Sequence, residues 1–206
     1  MPPKTPLVDP SNYFAQRTNV LTEGSLVFGF HLLGDLLLLF LVIRALLQRI
    51  DVTVPSDAWM TVLGPVVLVS VVFYLVAWLV VAAIMHYLSG GSDTAGSYTD
   101  ALAVTGWAYA PEVLVLPLNW LLVRREIAEL RLEGESVGAV IAELEAVQNG
   151  MFGLPDLVIL LAVTVVSVYI LAFGVAATHD VPVPKALGPA AIVGIGSIVL
   201  ALVGAA

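Results

Sequence analysis

Five apolar runs, at 26–47, 59–87, 101–123, 155–177 and 186–206, decide what this chain can be. Each is long enough to cross a hydrocarbon core of about 30 Å as a helix, which takes roughly 20 residues. Together they hold 118 of the 206 residues but only four of the 24 charged ones: Asp35, Arg44, Glu112 and Asp156. The other 20 charges sit in the remaining 88 positions, an ordinary density for chain in contact with water. Two compositions therefore coexist, and the fold class that accommodates both is an all-α polytopic membrane protein. Its parts are a polar N-terminal arm, 1–25, and a single five-span domain, 26–206.

The exclusions follow from the same counts. At 60% apolar and 12% charged, the chain is too hydrophobic for a soluble globule and too biased for a disordered one. Lys and Arg number 8 against 16 Asp and Glu, which excludes a basic nucleic-acid binder. With no cysteine, disulfides, thiol catalysis and Cys-ligated zinc are excluded too. The acid excess, with Lys4 and Lys185 as the only lysines, is similar to that of salt-adapted prokaryotic proteins, whose surface carboxylates serve hydration.

The arm carries Pro2, Pro3, Pro6 and Pro10 and is too polar for a signal peptide, so the first run is expected to stay in the membrane. Pro55, Pro182 and Pro184 mark tight connectors at 54–57 and 181–185, which predict antiparallel packing of spans one and two and of spans four and five. Gly90-Gly91-Ser92-Asp93 reads as a flexible link. In the polar stretch 124–154, Val137, Val140, Ile141, Leu144 and Val147 recur at helical spacing, between a Ser136 cap and an Asn149-Gly150 stop. They predict a short amphipathic helix at the interface, packed on the bundle or on a partner.

Ionisable groups at membrane depth are where function is sought first. Asp35 lies near the centre of span one and costs roughly 2.5–3.5 kcal/mol to insert. The 16 Leu, Ile, Val and Phe of that run outweigh it at about 0.3–0.6 kcal/mol each. His31, four residues earlier, shares its helical face and pairs with it. In span three, Thr105, Tyr109, Glu112 and Asn119 form a polar stripe, with Ala103, Gly106 and Ala110 making a small-residue face opposite. Pro111 removes a backbone donor and kinks or breaks that span near Trp107, beside Glu112. His31, Asp35, Tyr109 and Glu112 are accordingly the candidate intramembrane polar site, a structural pair and stripe on one reading and a proton or cation relay on another. His86 adds a metal-capable donor near the end of its span, yet no metal-binding spacing links these groups. Hydrolase, phosphate-loop, dinucleotide and HExxH motifs are absent, so neither catalysis nor a cofactor is expected.

The order of short motifs resembles the Yip family, the five-span Ypt/Rab-interacting membrane proteins. Leu7-Val8-Asp9-Pro10 followed by Tyr13-Phe14 is similar to the family's Pro-then-aromatic segment. Gly90-Gly91 follows span two, and Gly106-Trp107-Ala108-Tyr109-Ala110-Pro111 resembles the Tyr-x-Pro element of span three. Gly174, His179 and Lys185-Ala186 complete the series. The residues that carry the resemblance most directly are Pro10, Gly90, Gly91, Tyr109, Pro111 and Lys185. It implies a non-enzymatic integral membrane protein with a scaffold or interaction role; eukaryotic members bind prenylated Rab-type GTPases and hold the N-terminus in the cytosol. The Lys/Arg count favours the opposite orientation, with Arg44, Arg49, Arg124, Arg125 and Arg131 on one side against Lys4, Arg17 and Lys185 on the side of the N-terminus. The expected surroundings are membrane lipids of the cell membrane, with a protein partner or a second copy of the chain, and the alternative function is a small proton or cation conduit.

Overall fold

The computed structural model describes residues 5–16, 20–47, 56–129 and 153–204. They form a short helix α1 (Pro10–Gln16), then α2 (Val20–Leu47), α3 (Ser56–Leu88), α4 (Tyr98–Ala108), α5 (Ala110–Glu129), α6 (Leu154–His179) and α7 (Val183–Gly204), with a 3₁₀ turn at Gly91–Asp93. Among the described residues, five helical segments are long and apolar enough to span a bilayer: Val20–Ala45, Gly64–Leu88, Tyr98–Glu129, Leu154–His179 and Val183–Val203. The expected amphipathic helix at 137–147 lies outside the described residues.

Helix ends depart from the apolar runs wherever polar groups are satisfied by the protein. α1 opens on Asp9, whose Oδ1 accepts from the Asn12 backbone N–H at 3.1 Å, with Pro10 in the first helical position. Those Asn12 bonds stabilise the charged form and hold Asp9 below the usual carboxylate range. α2 starts at Val20, ahead of its run, and the carboxylate of Glu23 in its first turn accepts from the Tyr13 hydroxyl. A capping box starts α4: Asp100 N–H donates to Ser97 Oγ at 3.2 Å and Ser97 N–H to Asp100 Oδ2 at 2.8 Å. α5 continues past 123 to Glu129, with Arg125 donating to Glu129 at 3.1 Å across one turn.

Two connector readings are corrected. The link after α3 is an ordered turn, not a loose tether: Gly90 (φ 126°) and Gly91 (φ 55°) take conformations that side chains resist, which is why glycines stand there. The α6–α7 connector is shorter than 181–185, since α6 ends on left-handed Asp180 and α7 already begins at Val183. Pro184 sits in the first turn, where its missing N–H has no helical partner to lose.

Packing also departs from chain order. α6 and α7 pack along each other as expected, but α2 and α3 touch only sparsely, and α2 lies against α4 and α5 instead. The cause is the small-residue face of span three. A Cβ on Gly24 would stand 2.3 Å from the Ala103 carbonyl oxygen, and one on Gly106 would stand 2.3 Å from the Gly24 oxygen. Here backbone meets backbone, a contact only glycine permits. At the same end of the bundle α1 buries Tyr13 and Phe14 with Val104, Leu171 and Val175, so part of the 1–25 arm belongs to the core.

This crossing predicts unequal effects within one helix. Gly24→Ala forces the backbones apart and lowers unfolding stability in detergent by about 1–3 kcal/mol, whereas Gly29→Ala, with nothing within 4 Å of the new methyl, is neutral or slightly stabilising. Equal losses at both positions would show that close approach is not what joins spans one and three.

Candidate functional site

The site is built where α2 crosses the break in span three. Pro111 has no N–H for the Trp107 carbonyl, and the helix parts at Tyr109, which forms a one-residue turn between α4 and α5. Val113 N–H closes on the Tyr109 carbonyl at 3.2 Å to restart the helix, with Glu112 in its first turn. A carboxylate in the first turn of a helix faces the positive end of the macrodipole. The two residues aimed at span one, Tyr109 and Glu112, thus come from the break itself and from the first turn after it.

Span one supplies the rest. His31 is buried, with 2% of its side chain accessible, and its Nε2 lies 3.5 Å from Asp35 Oδ2 and 3.3 Å from Glu112 Oε2. One imidazole nitrogen therefore faces two carboxylates, one on its own helix and one across the bundle. Neither His31 nitrogen meets hydrogen-bond geometry, so the contacts are ion-pair distances. The ring stacks on Tyr109, with centroids 4.7 Å apart and planes at 21°, and meets the edge of Tyr74 at 5.2 Å. Phe28, stacked at 4.3 Å on Trp78, closes the aromatic shell.

All four residues of the expected polar site, His31, Asp35, Tyr109 and Glu112, thus converge. Asp35 and Glu112 differ in access, at 21% and 40% of the side chain. Glu112 faces a cleft of about 1160 Å³ between α3, α5, α6 and α7, which Thr105, Asn119 and Glu126 also line. These four residues of span three recur every seventh position and so line one wall.

The other family-motif residues gather at the α1 end. Pro10 is buried in the first turn of α1, Gly90 and Gly91 shape the turn after α3, and a Cβ on Gly90 would meet Lys185 Nζ at 2.7 Å. Beneath that turn lies a pair the sequence reading did not assemble: His86 Nδ1 and His179 Nε2 are 3.0 Å apart and buried, with Thr178 Oγ1 3.0 Å from His179 Nδ1. Two histidines at the ends of different spans, each beside a glycine or proline turn, were its signal. Glu126 was missed because the apolar run ends at 123. Tyr74 and Phe28 were missed because aromatic residues in a span read as lipid-facing or core. Among the described residues, no group of three or more His, Asp or Glu side chains is arranged to hold a metal.

The shared imidazole predicts measurable coupling between helices. In a double-mutant cycle of His31→Ala and Glu112→Gln, unfolding stability in detergent should be non-additive by about 0.5–3 kcal/mol. Strict additivity would show that α2 and α5 do not communicate through this contact.

The comparisons with known proteins agree with the fold. No curated protein and no solved structure gives a significant match to the chain. A family model, the Yip1 domain, matches residues 5–205. With five apolar helices and the ordered motifs covered by one match over nearly the whole length, the chain belongs to the Yip family of multi-pass membrane proteins.

Proposed function

We propose that the chain is a non-enzymatic scaffold or protein-interaction component of the cell membrane. The observation that carries this reading is the built platform at the α1 end. Residues Leu7, Tyr13 and Phe14 pack there in one cluster with Val181 and Val183, and the turn after α3 packs on His179 and Lys185 through Gly96 and Gly90. Tyr169 donates to the Val8 carbonyl at 3.2 Å, and the Gly96 backbone packs on the His179 ring. Ordering loops into a fixed surface costs conformational entropy, and a fixed surface is what a partner can recognise without paying that cost again. Val8 and Tyr87 stay largely exposed on it.

Because the chain has no cysteine, a single cysteine at Val8 carries a photo-crosslinker without background. We expect a discrete protein adduct from native membranes, and from Leu33, exposed on the apolar face of α2, lipid adducts only. Repeated recovery of the unmodified protein alone from the Val8 probe would overturn the scaffold reading.

A second reading is favoured by the convergence of His31, Asp35 and Glu112 beside the cleft: a small proton or cation conduit. In proteoliposomes any flux the protein carries should fall strongly in Asp35→Asn and Glu112→Gln. Flux unchanged in both variants removes this reading.

A further inference from the structure

The cleft beside Glu112 is unbalanced in charge. Its described lining contains Glu112, Glu126 and Asp156 but no Lys, Arg or His. The nearest basic group, His31, does not cancel this. Counted with both carboxylates ionised, the set of His31, Asp35 and Glu112 carries one net negative charge when the ring is protonated and two when it is neutral.

The remaining walls are hydrocarbon and aromatic. Apolar side chains of α3, α6 and α7 make most of the surface, and Phe73, Tyr74 and Tyr109 also line it, the two tyrosines against His31 in the layer of Glu112. Glu126 and Asp156 lie near the far end of the bundle. Fourteen residues separate Glu126 from Glu112, which sets them about 21 Å apart along the helix.

Such a space discriminates by hydration and by sign. A small inorganic cation leaves its water at a high cost in an apolar cleft. An anion of any size meets three carboxylates. An organic cation whose charge is spread over an apolar body loses little on dehydration, gains by burying that body, and can place its charge against both a carboxylate and ring faces.

We propose that this cleft is a binding site for lipophilic organic cations, with the positive charge held at Glu112 beside the Tyr74 and Tyr109 rings and the body among the apolar walls. The inference extends the conduit reading from small cations to organic ones and shares its cleft. It is read by binding, so absent flux with retained binding removes the conduit and leaves the site standing.

The experiment is equilibrium dialysis of the purified full-length protein in a non-ionic detergent, corrected with protein-free micelles, against two probes of nearly the same shape and opposite sign, tetraphenylphosphonium and tetraphenylborate. We expect saturable binding of the phosphonium alone, weakened about tenfold or more in Glu112→Gln, the loss of one charge-assisted contact. Should that variant fail to stay monodisperse, modification of Glu112 in the unaltered chain by dicyclohexylcarbodiimide gives the same decision: tetraphenylphosphonium should slow it and tetraphenylborate should not. Equal binding of the two probes would show a merely apolar cleft and overturn the proposal. So would phosphonium binding unchanged in Glu112→Gln, or carbodiimide modification that the phosphonium leaves unslowed.

Discussion

The contact on which the centre of the molecule depends is the crossing of Gly24 and Gly106. Within a bilayer, helices gain little from apolar burial against each other, because lipid tails are as apolar as leucine. What brings two spans together is close packing, and it is closest where neither helix carries a Cβ. Seven residues beyond Gly24 is His31, and six beyond Gly106 is Glu112. Two turns of α2 on one side, and the end of α4 with the first turn of α5 on the other, thus carry the backbone contact forward into a side-chain contact of 3.3 Å. Without that crossing the imidazole and the second carboxylate would have no reason to share a layer.

Span three then plays two parts along one axis. Before the break, α4 is almost wholly core, with Ala101, Ala103, Val104, Thr105, Gly106 and Ala108 buried among α2, α3 and α6. After it, α5 is mostly half-exposed and forms a cleft wall. The change falls at Tyr109, where the ladder is interrupted. A helix continuing straight from a tightly packed half would carry the close contact to the other end. The turn at Tyr109 lets α5 leave at its own angle, and space opens between it and α3, α6 and α7. Pro117, inside α5, does not part the helix again, so a proline alone does not decide where a span breaks.

Much of this was legible in the sequence because the bilayer imposes a one-dimensional rule. Charge is rejected from hydrocarbon, so five spans and the exceptions to them, Asp35 and Glu112, are visible as composition. The meeting of those two was not. The polar stripe and the small face of span three could be read at 100° per residue, but which helix each face addresses depends on packing between segments distant in sequence. The tight connector at 54–57, marked by Pro55, argued for pairing of spans one and two; glycine contact with span three prevailed. Helix ends were misread for a related reason. Glu23, Asp100 and Glu129 lie beyond the apolar runs yet inside helices, since each is satisfied by a neighbour that hydropathy does not see.

The two intramembrane acids look equivalent in the sequence, each a single carboxylate in an apolar run, but the structure gives them different standing. Asp35 shares a helix with His31, so their pairing survives any movement of α2 as a body. Glu112 reaches the same nitrogen from another helix, at the edge of the cleft and with the larger accessible fraction. Removing the imidazole would leave two carboxylates facing each other across a largely apolar layer, whereas neutralising Glu112 would leave the local pair intact; a buried charge is costly chiefly when its partner is taken away. His31 and Asp35 are therefore the fixed half of the site, and Glu112 is the half that anything entering the cleft meets.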